Sequence, residues 1–290
     1  MSWFFEFPFH LPINLSDIDR VIRDFSVRHE VFFNAIRYAL TSLVLSIERL
    51  LILLPWWLII IIVFFCGWKA TAKITRGILY SILLLLIGGV GFWGAMIETL
   101  SIVIASVIIS LIFGFPFGLL LAGNDRVERI VRPILDTMQT MPVFVYLIPA
   151  ILFFGLGKAP AVIATTVYAI VPLIRLTSLG IRQVDIEVVE AARAFGSTTL
   201  QTLYKVQIPQ AIPTIMTGLN QTLMMAMAMV VTCSMIGASG LGMEVLIGVN
   251  RIEIGRGIVA GTAVVFVAII LDRLTQGLAK STVRKESDGE

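Results

Sequence analysis

Residues Leu50 to Trp68 read LLILLPWWLIIIIVFFCGW, with no charged residue in the run and only apolar side chains from Leu58 to Phe65. A strand of a membrane barrel alternates apolar and polar side chains, which excludes one here. A helix of about 20 residues crosses a hydrocarbon core of about 30 Å, and the run predicts such a helix. Six further uncharged runs lie downstream: Gly77 to Ile97, Thr99 to Asn124, Thr137 to Gly157, Ala159 to Ile174, Val206 to Met243 and Gly257 to Leu271. Together they predict an all-α integral membrane protein with about seven transmembrane helices. The 38-residue run from Val206 is too long for one span, and Ser239-Gly240-Leu241-Gly242 marks an external loop or re-entrant turn after a helix near Ile212 to Met235. The last run is short, so its helix must continue past Asp272 and Arg273.

The whole composition agrees. Of 290 residues, 58% are hydrophobic and 14% charged, with a mean hydropathy of +0.95. Soluble chains carry about 25% charged residues, so this one has roughly half the charge needed to coat a globule. Cys66 and Cys233 both lie in apolar runs and form neither a disulfide framework nor a metal quartet. His10 and His29 are too far apart in sequence for a zinc or haem site. The net charge of +3 has no block of one sign, so no nucleic-acid partner is expected. Met1-Ser2-Trp3-Phe4-Phe5 has no basic region before its apolar residues, and no cleaved signal peptide is expected.

Orientation follows from Lys and Arg in the loops. One alternate set holds Lys69, Lys73, Arg76, Arg126, Arg129, Arg132, Arg175, Arg182, Arg193, Lys205, Arg273, Lys280, Arg284 and Lys285; the other holds only Lys158, Arg251 and Arg256. The 14-to-3 excess puts the first set and the C-terminus in the cytoplasm, and the N-terminus outside. In the external segment 1–49, Ser16 and Asp19 fit a capping box. Ile18, Val21, Ile22, Phe25, Phe32, Ile36, Leu40, Leu43 and Ile47 then repeat at helical spacing. This predicts one amphipathic helix lying on the outer leaflet or on the other helices, as a scaffold.

The longest polar interruption, from Arg175 to Ile208, reads RLTSLGIRQVDIEVVEAARAFGSTTLQTLYKVQI. Two short helical patterns flank Gly196, which can take the positive φ that turns one into the next. Pro209 can start a new helix, where its missing N–H does no harm. Glu190 puts a negative charge on this helix-turn-helix, and Ala191 and Ala192 permit close approach by a soluble partner.

At Glu190-Ala191-Ala192, Gly196 and Val206-Gln207-Ile208-Pro209 the chain resembles the EAA loop of permease subunits of bacterial ABC importers. Val206 and Ile208 replace the Ile and Leu most typical of that pattern. The resemblance implies a type I (MetI-like) five-helix core over residues 98–278, with a cytoplasmic coupling loop at 181–209. Residues 50–97 would then form two peripheral helices and 279–290 a cytoplasmic tail. Thr217-Gly218-Leu219-Asn220-Gln221, Ser234-Met235-Ile236-Gly237-Ala238, Gly240-Leu241-Gly242, Val249-Asn250-Arg251 and Ile270-Leu271-Asp272-Arg273-Leu274-Thr275-Gln276 are similar to the glycine betaine/L-proline osmoprotectant permeases. The implied partners are an ATP-binding cassette ATPase, an external substrate-binding protein or fused receptor domain, a second copy of the chain and membrane lipid. Choline, carnitine, proline betaine and trimethylamine oxide are the alternative cargoes.

Gly155-Leu156-Gly157-Lys158-Ala159 lacks the phosphate-loop spacing and the following Ser or Thr, so ATP and magnesium are expected on the partner. No catalytic, cofactor-binding or metal-binding residue is expected in this chain. Ser106 and Ser110, in apolar helices, are expected to bond the backbone.

The sixth span concentrates Thr217, Asn220, Gln221, Met224, Met225, Met227, Met229, Thr232 and Ser234. Amides in lipid must be paired or face water. A methylated zwitterion needs dipoles for its carboxylate and polarizable surface for its methyl groups. Thr217, Asn220, Gln221, Met224 and Thr232 are therefore candidate pathway residues, with helix packing as the competing role. Pro116, Pro149 and Pro172 are candidate breaks or hinges. An ion-coupled secondary transporter would need an intramembrane acid, and only Asp272 comes near, beside Arg273.

Overall fold

Glycine and proline, more than charge, decide where these apolar runs break. The computed structural model describes residues 14–287, and every regular element among them is helical. The signal-peptide reading and His10 fall outside the described residues, as do the last three residues of the 279–290 tail.

Helix α1 (Leu15–Arg28) and α2 (Glu30–Leu53) meet at His29. The single amphipathic helix expected here is thus two, and the second runs beyond residue 49. The capping box at Ser16 and Asp19 does not form, because the helix starts two residues earlier than that motif requires. Asn14 is the N-cap, and Ser16 lies inside the first turn, donating to Asn14 Oδ1 at 2.7 Å. Helix α2 does lie on other helices. Val44 is fully buried against them, the Phe33 ring stacks on Phe153 at 4.6 Å, and Lys158 forms an ion pair with Glu48.

Pro55 ends α2 by forcing Leu54 into an extended conformation, and α3 (Trp56–Thr71) departs at 93°. Helix α4 (Ile74–Gly89) returns beside α3, with Gly67 and Gly77 leaving room for Tyr80 and Phe64 at their crossing. Gly91, at φ +87°, makes the next turn, and α5 (Trp93–Ala122) follows. Glu98 therefore lies inside α5 and not between two spans, and the division drawn at 97/98 cuts a continuous helix.

Helix α6 (Asp125–Thr140) and α7 (Val143–Phe154) meet at 92° across Met141 and Pro142, again with the residue before proline extended. Then come α8 (Lys158–Arg182), α9 (Ile186–Ala194), α10 (Thr199–Thr202) and a π-helical segment at Leu203–Gln207. Helix α11 (Ile208–Ser234) follows without a break, so Pro209 lies within a continuous helix and does not start a new one; α12 (Leu241–Asn250) is a short helix after the Gly240 turn, and α13 is Ile254–Ser287.

Among the described residues four helices are long and apolar enough to cross a membrane, or up to six if each bent pair is one span. Helix length and composition thus give fewer candidates than the seven uncharged runs, since uncharged length overstates helix length where Pro or Gly cuts the run. Helices α3 and α4 have 16 residues each and α7 has 12, against the roughly 20 that a full crossing needs. Helix α13 does continue through Asp272 and Arg273. Pro116, Pro149 and Pro172 lie inside α5, α7 and α8 without ending them.

Helix α8 is the centre, with α5 on one side and α11 on the other. Small residues make this approach possible, as expected where lipid gives no hydrophobic drive for helices to associate. A Cβ on Gly118 of α5 would stand 2.6 Å from Thr177 Cβ and 2.8 Å from the Ile174 carbonyl of α8. One on Gly218 of α11 would meet Leu176 Cβ at 3.0 Å.

Candidate functional site

The segment between α8 and α11 is a helical hairpin whose turns are capped at each step. Asp185 caps α9 by accepting from the Glu187 amide at 2.9 Å. Gly196, at φ +87°, closes it, with its amide bonded to Arg193 O at 2.9 Å and the Ser197 amide to Ala192 O at 3.1 Å. A Cβ at Gly196 would meet nothing within 4 Å, so the requirement for glycine is conformational. A capping box starts α10: the Gln201 amide donates to Thr198 Oγ1 at 3.3 Å, and the Thr198 amide donates to Gln201 Oε1 at 2.9 Å. Ser197 and Thr202 hydroxyls share a hydrogen bond of 2.7 Å beneath the turn.

One face holds the hairpin to the bundle, through Val184, Leu203 and Ile208 packed against Leu173, Ile181, Ala211 and Ile215. Arg182, at the end of α8, bonds Asp125 at 2.6 Å, Glu128 at 2.8 Å and the Leu121 carbonyl at 2.8 Å. The other face is open. Glu190, Ala191 and Gly196 are exposed, Ala192 half-buried, and Ile208 and Pro209 sit half-buried at the root of α11. Beside them stand four large apolar side chains of the two helical patterns that were not among the expected coupling residues: Ile186, Leu200, Tyr204 and Phe195, the last 94% exposed. Their signal was present, since they fall off the stripe of Val189 and Thr202 that faces inward. Exposed apolar side chains beside rigid caps form a patch of the kind that meets a protein or a membrane.

The sixth-span candidates separate. Thr217, Gln221 and Met224 are exposed along one side of α11, at helical spacing. The Thr217 hydroxyl donates to the Pro213 carbonyl at 2.9 Å. Thr232 is half-buried nearer the other end. Asn220 points elsewhere: its Nδ2 donates to Asp272 Oδ1 of α13 at 2.7 Å, and Gln276 Nε2 donates to the same oxygen at 2.7 Å. Arg273 Nε is 3.6 Å from the other oxygen, so the carboxylate has two amides as well as its neighbouring guanidinium. Met227 and Met229 are core filler. Of the serines, Ser106 bonds the Ile102 carbonyl at 2.9 Å as expected, whereas Ser110 is buried without a partner among the described residues.

The chain matches the family described as binding-protein-dependent transport system inner membrane component over residues 114–284. It is 47% identical over 266 residues to the glycine betaine/carnitine transport permease protein of Listeria monocytogenes, covering 91% of this chain and 94% of that one. The glycine betaine transport system permease protein of Bacillus subtilis is 46% identical over 96% of this chain and 97% of its own. The glycine betaine/proline betaine transport system permease protein of Escherichia coli is 40% identical over 95% of this chain and 78% of its own. Among solved structures, an inward-facing MetNI methionine ABC transporter chain aligns with a TM-score of 0.55 and 26% identity, over 65% of this chain and 92% of that chain.

Proposed function

The chain belongs to the family of binding-protein-dependent transport system inner membrane components, and on that premise we propose that it is the permease subunit of an ATP-driven importer for glycine betaine and related quaternary amines. The observation that carries this reading is the α9–α10 hairpin, capped at every turn, rooted in the bundle and presenting Phe195, Ile186, Leu200 and Tyr204 to solvent. A hairpin of this kind suits the cleft of an ATP-binding cassette ATPase, with ATP and magnesium held on that partner.

The mechanism follows from connectivity. Helix α10, the π segment and α11 run continuously from Thr199 to Ser234. A push on the hairpin therefore moves α11 directly, together with its exposed row of Thr217, Gln221 and Met224. Those side chains offer a hydroxyl, an amide and a thioether to a methylated zwitterion, and a second copy of the chain facing this row would enclose a path. The loop charges favour the hairpin and the C-terminus in the cytoplasm, and α2 and the α12–α13 turn outside, where a substrate-binding protein would deliver cargo.

The test is uptake by vesicles containing the permease, its ATPase and its receptor, supplied in turn with glycine betaine, proline betaine, carnitine, choline, trimethylamine oxide and proline. ATP-dependent accumulation of glycine betaine ahead of choline is the expected result. Accumulation driven by an ion gradient without the ATPase would replace this reading with a secondary transporter.

A further inference from the structure

Helix α6 carries three acids and three arginines, and the structure spends them differently. Asp125 and Glu128 bond Arg182, and Asp136 forms an ion pair with Arg175, so every acid has an arginine of α8 as its partner, although Asp125 and Asp136 stay largely exposed. Arg126, Arg129 and Arg132 are exposed, and none meets a carboxylate among the described residues. The apolar side of the helix is divided too. Val127, Val131, Leu135 and Met138 pack on Leu121, Ile170, Val171 and Ile174, whereas Ile130 and Ile134 remain 69% and 55% exposed. At about 100° per residue, Ile130 and Ile134 lie along one edge of the free surface, with Arg126 and Arg129 beside them and Arg132 farther round.

We propose that this free surface of α6 seats anionic lipid headgroups of the cytoplasmic leaflet. The proposal rests on the orientation given above. Charge complementarity selects the ligand: unpaired guanidiniums bind phosphate oxygens through several donors at once. Position selects lipid over a soluble anion. Helix α7, wholly apolar, leaves α6 at 92°, so α6 stands where the chain turns into the hydrocarbon. Ile130 and Ile134 can then enter the acyl region while the arginines stay with the headgroups, the arrangement of an interfacial helix. A soluble acidic protein would leave the two isoleucines uncovered.

The experiment uses the full chain purified with its ATPase and placed in nanodiscs of phosphatidylcholine with a minor fraction of phosphatidylglycerol. The measurement is phosphatidylglycerol retained per permease after detergent extraction, by mass spectrometry. Three arginines near an anionic surface predict that R126Q/R129Q/R132Q lowers that retention about a hundredfold, since each contributes about fivefold and the three multiply. The charge-keeping R126K/R129K/R132K should retain most of it, and I130N/I134N should lose lipid with all three arginines present. ATPase copurification should be unchanged in every variant, which separates this proposal from the coupling hairpin. Wild-type retention in the Gln variant would overturn the proposal. So would loss of the ATPase with retention unchanged, which would make α6 a protein-docking face.

Discussion

At the residue scale, the contrast between Gly196 and Phe195 is the most informative. Gly196 has open space around it but a φ of +87°, where a β-branched residue costs about 1 kcal/mol or more. Gly196→Val should therefore leave the protein inserted and abundant while uptake and ATPase stimulation fall, as measured in vesicles against permease level. Phe195 is free to lose its ring without disturbing the fold, since 94% of it is exposed. Phe195→Ala should weaken ATPase copurification with no change in thermal stability, because an exposed aromatic of this kind is typical of an interface anchor. Asn220 predicts the opposite pattern. Its bond to Asp272 joins α11 to α13, so Asn220→Ala should lower stability by about 1–3 kcal/mol in thermal unfolding, with the apparent affinity for cargo unchanged. Gln221→Ala, on the exposed side of the same helix, should change cargo affinity and leave stability alone.

At the element scale, the central packing is written in glycines. Gly118→Leu would drive a side chain into Thr177 Cβ and the Ile174 carbonyl, and the α5–α8 pair cannot part without exposing the hydroxyls buried there. The variant should accumulate poorly or unfold at lower temperature, measured beside Gly94→Leu, where nothing lies within 4 Å. Much of this architecture was legible in the sequence: the apolar runs, the positive φ at Gly196 and the turn at Gly240. What escaped was of two kinds. Pro55 and Pro142 bend their neighbours by about a right angle, and hydropathy records the apolar run but not its direction. The division of the sixth span was also hidden, because Asn220 and Asp272 are 52 positions apart and only the fold brings them together. Glu98 misled for a related reason, since one half-buried carboxylate does not interrupt a helix as Gly91 does.

At the scale of the whole molecule, three layers act in series. In the proposed function an open hairpin meets the ATPase, the continuous helix from Thr199 to Ser234 carries the movement inward, and the small-residue seam is where α11 would move against α8. Helix α2 braces the far end through the stacked Phe33 and Phe153 and the Glu48–Lys158 pair. The central claim is that the hairpin transmits ATP-driven movement to the pathway. Its most direct measurement is glycine betaine uptake into proteoliposomes holding permease, ATPase and receptor, with wild type compared against Phe195→Asp at equal permease content. ATP-dependent uptake is expected in the wild type and its loss in the variant, with receptor binding of betaine intact. Equal uptake by the two proteins, with equal ATPase attached, would contradict it.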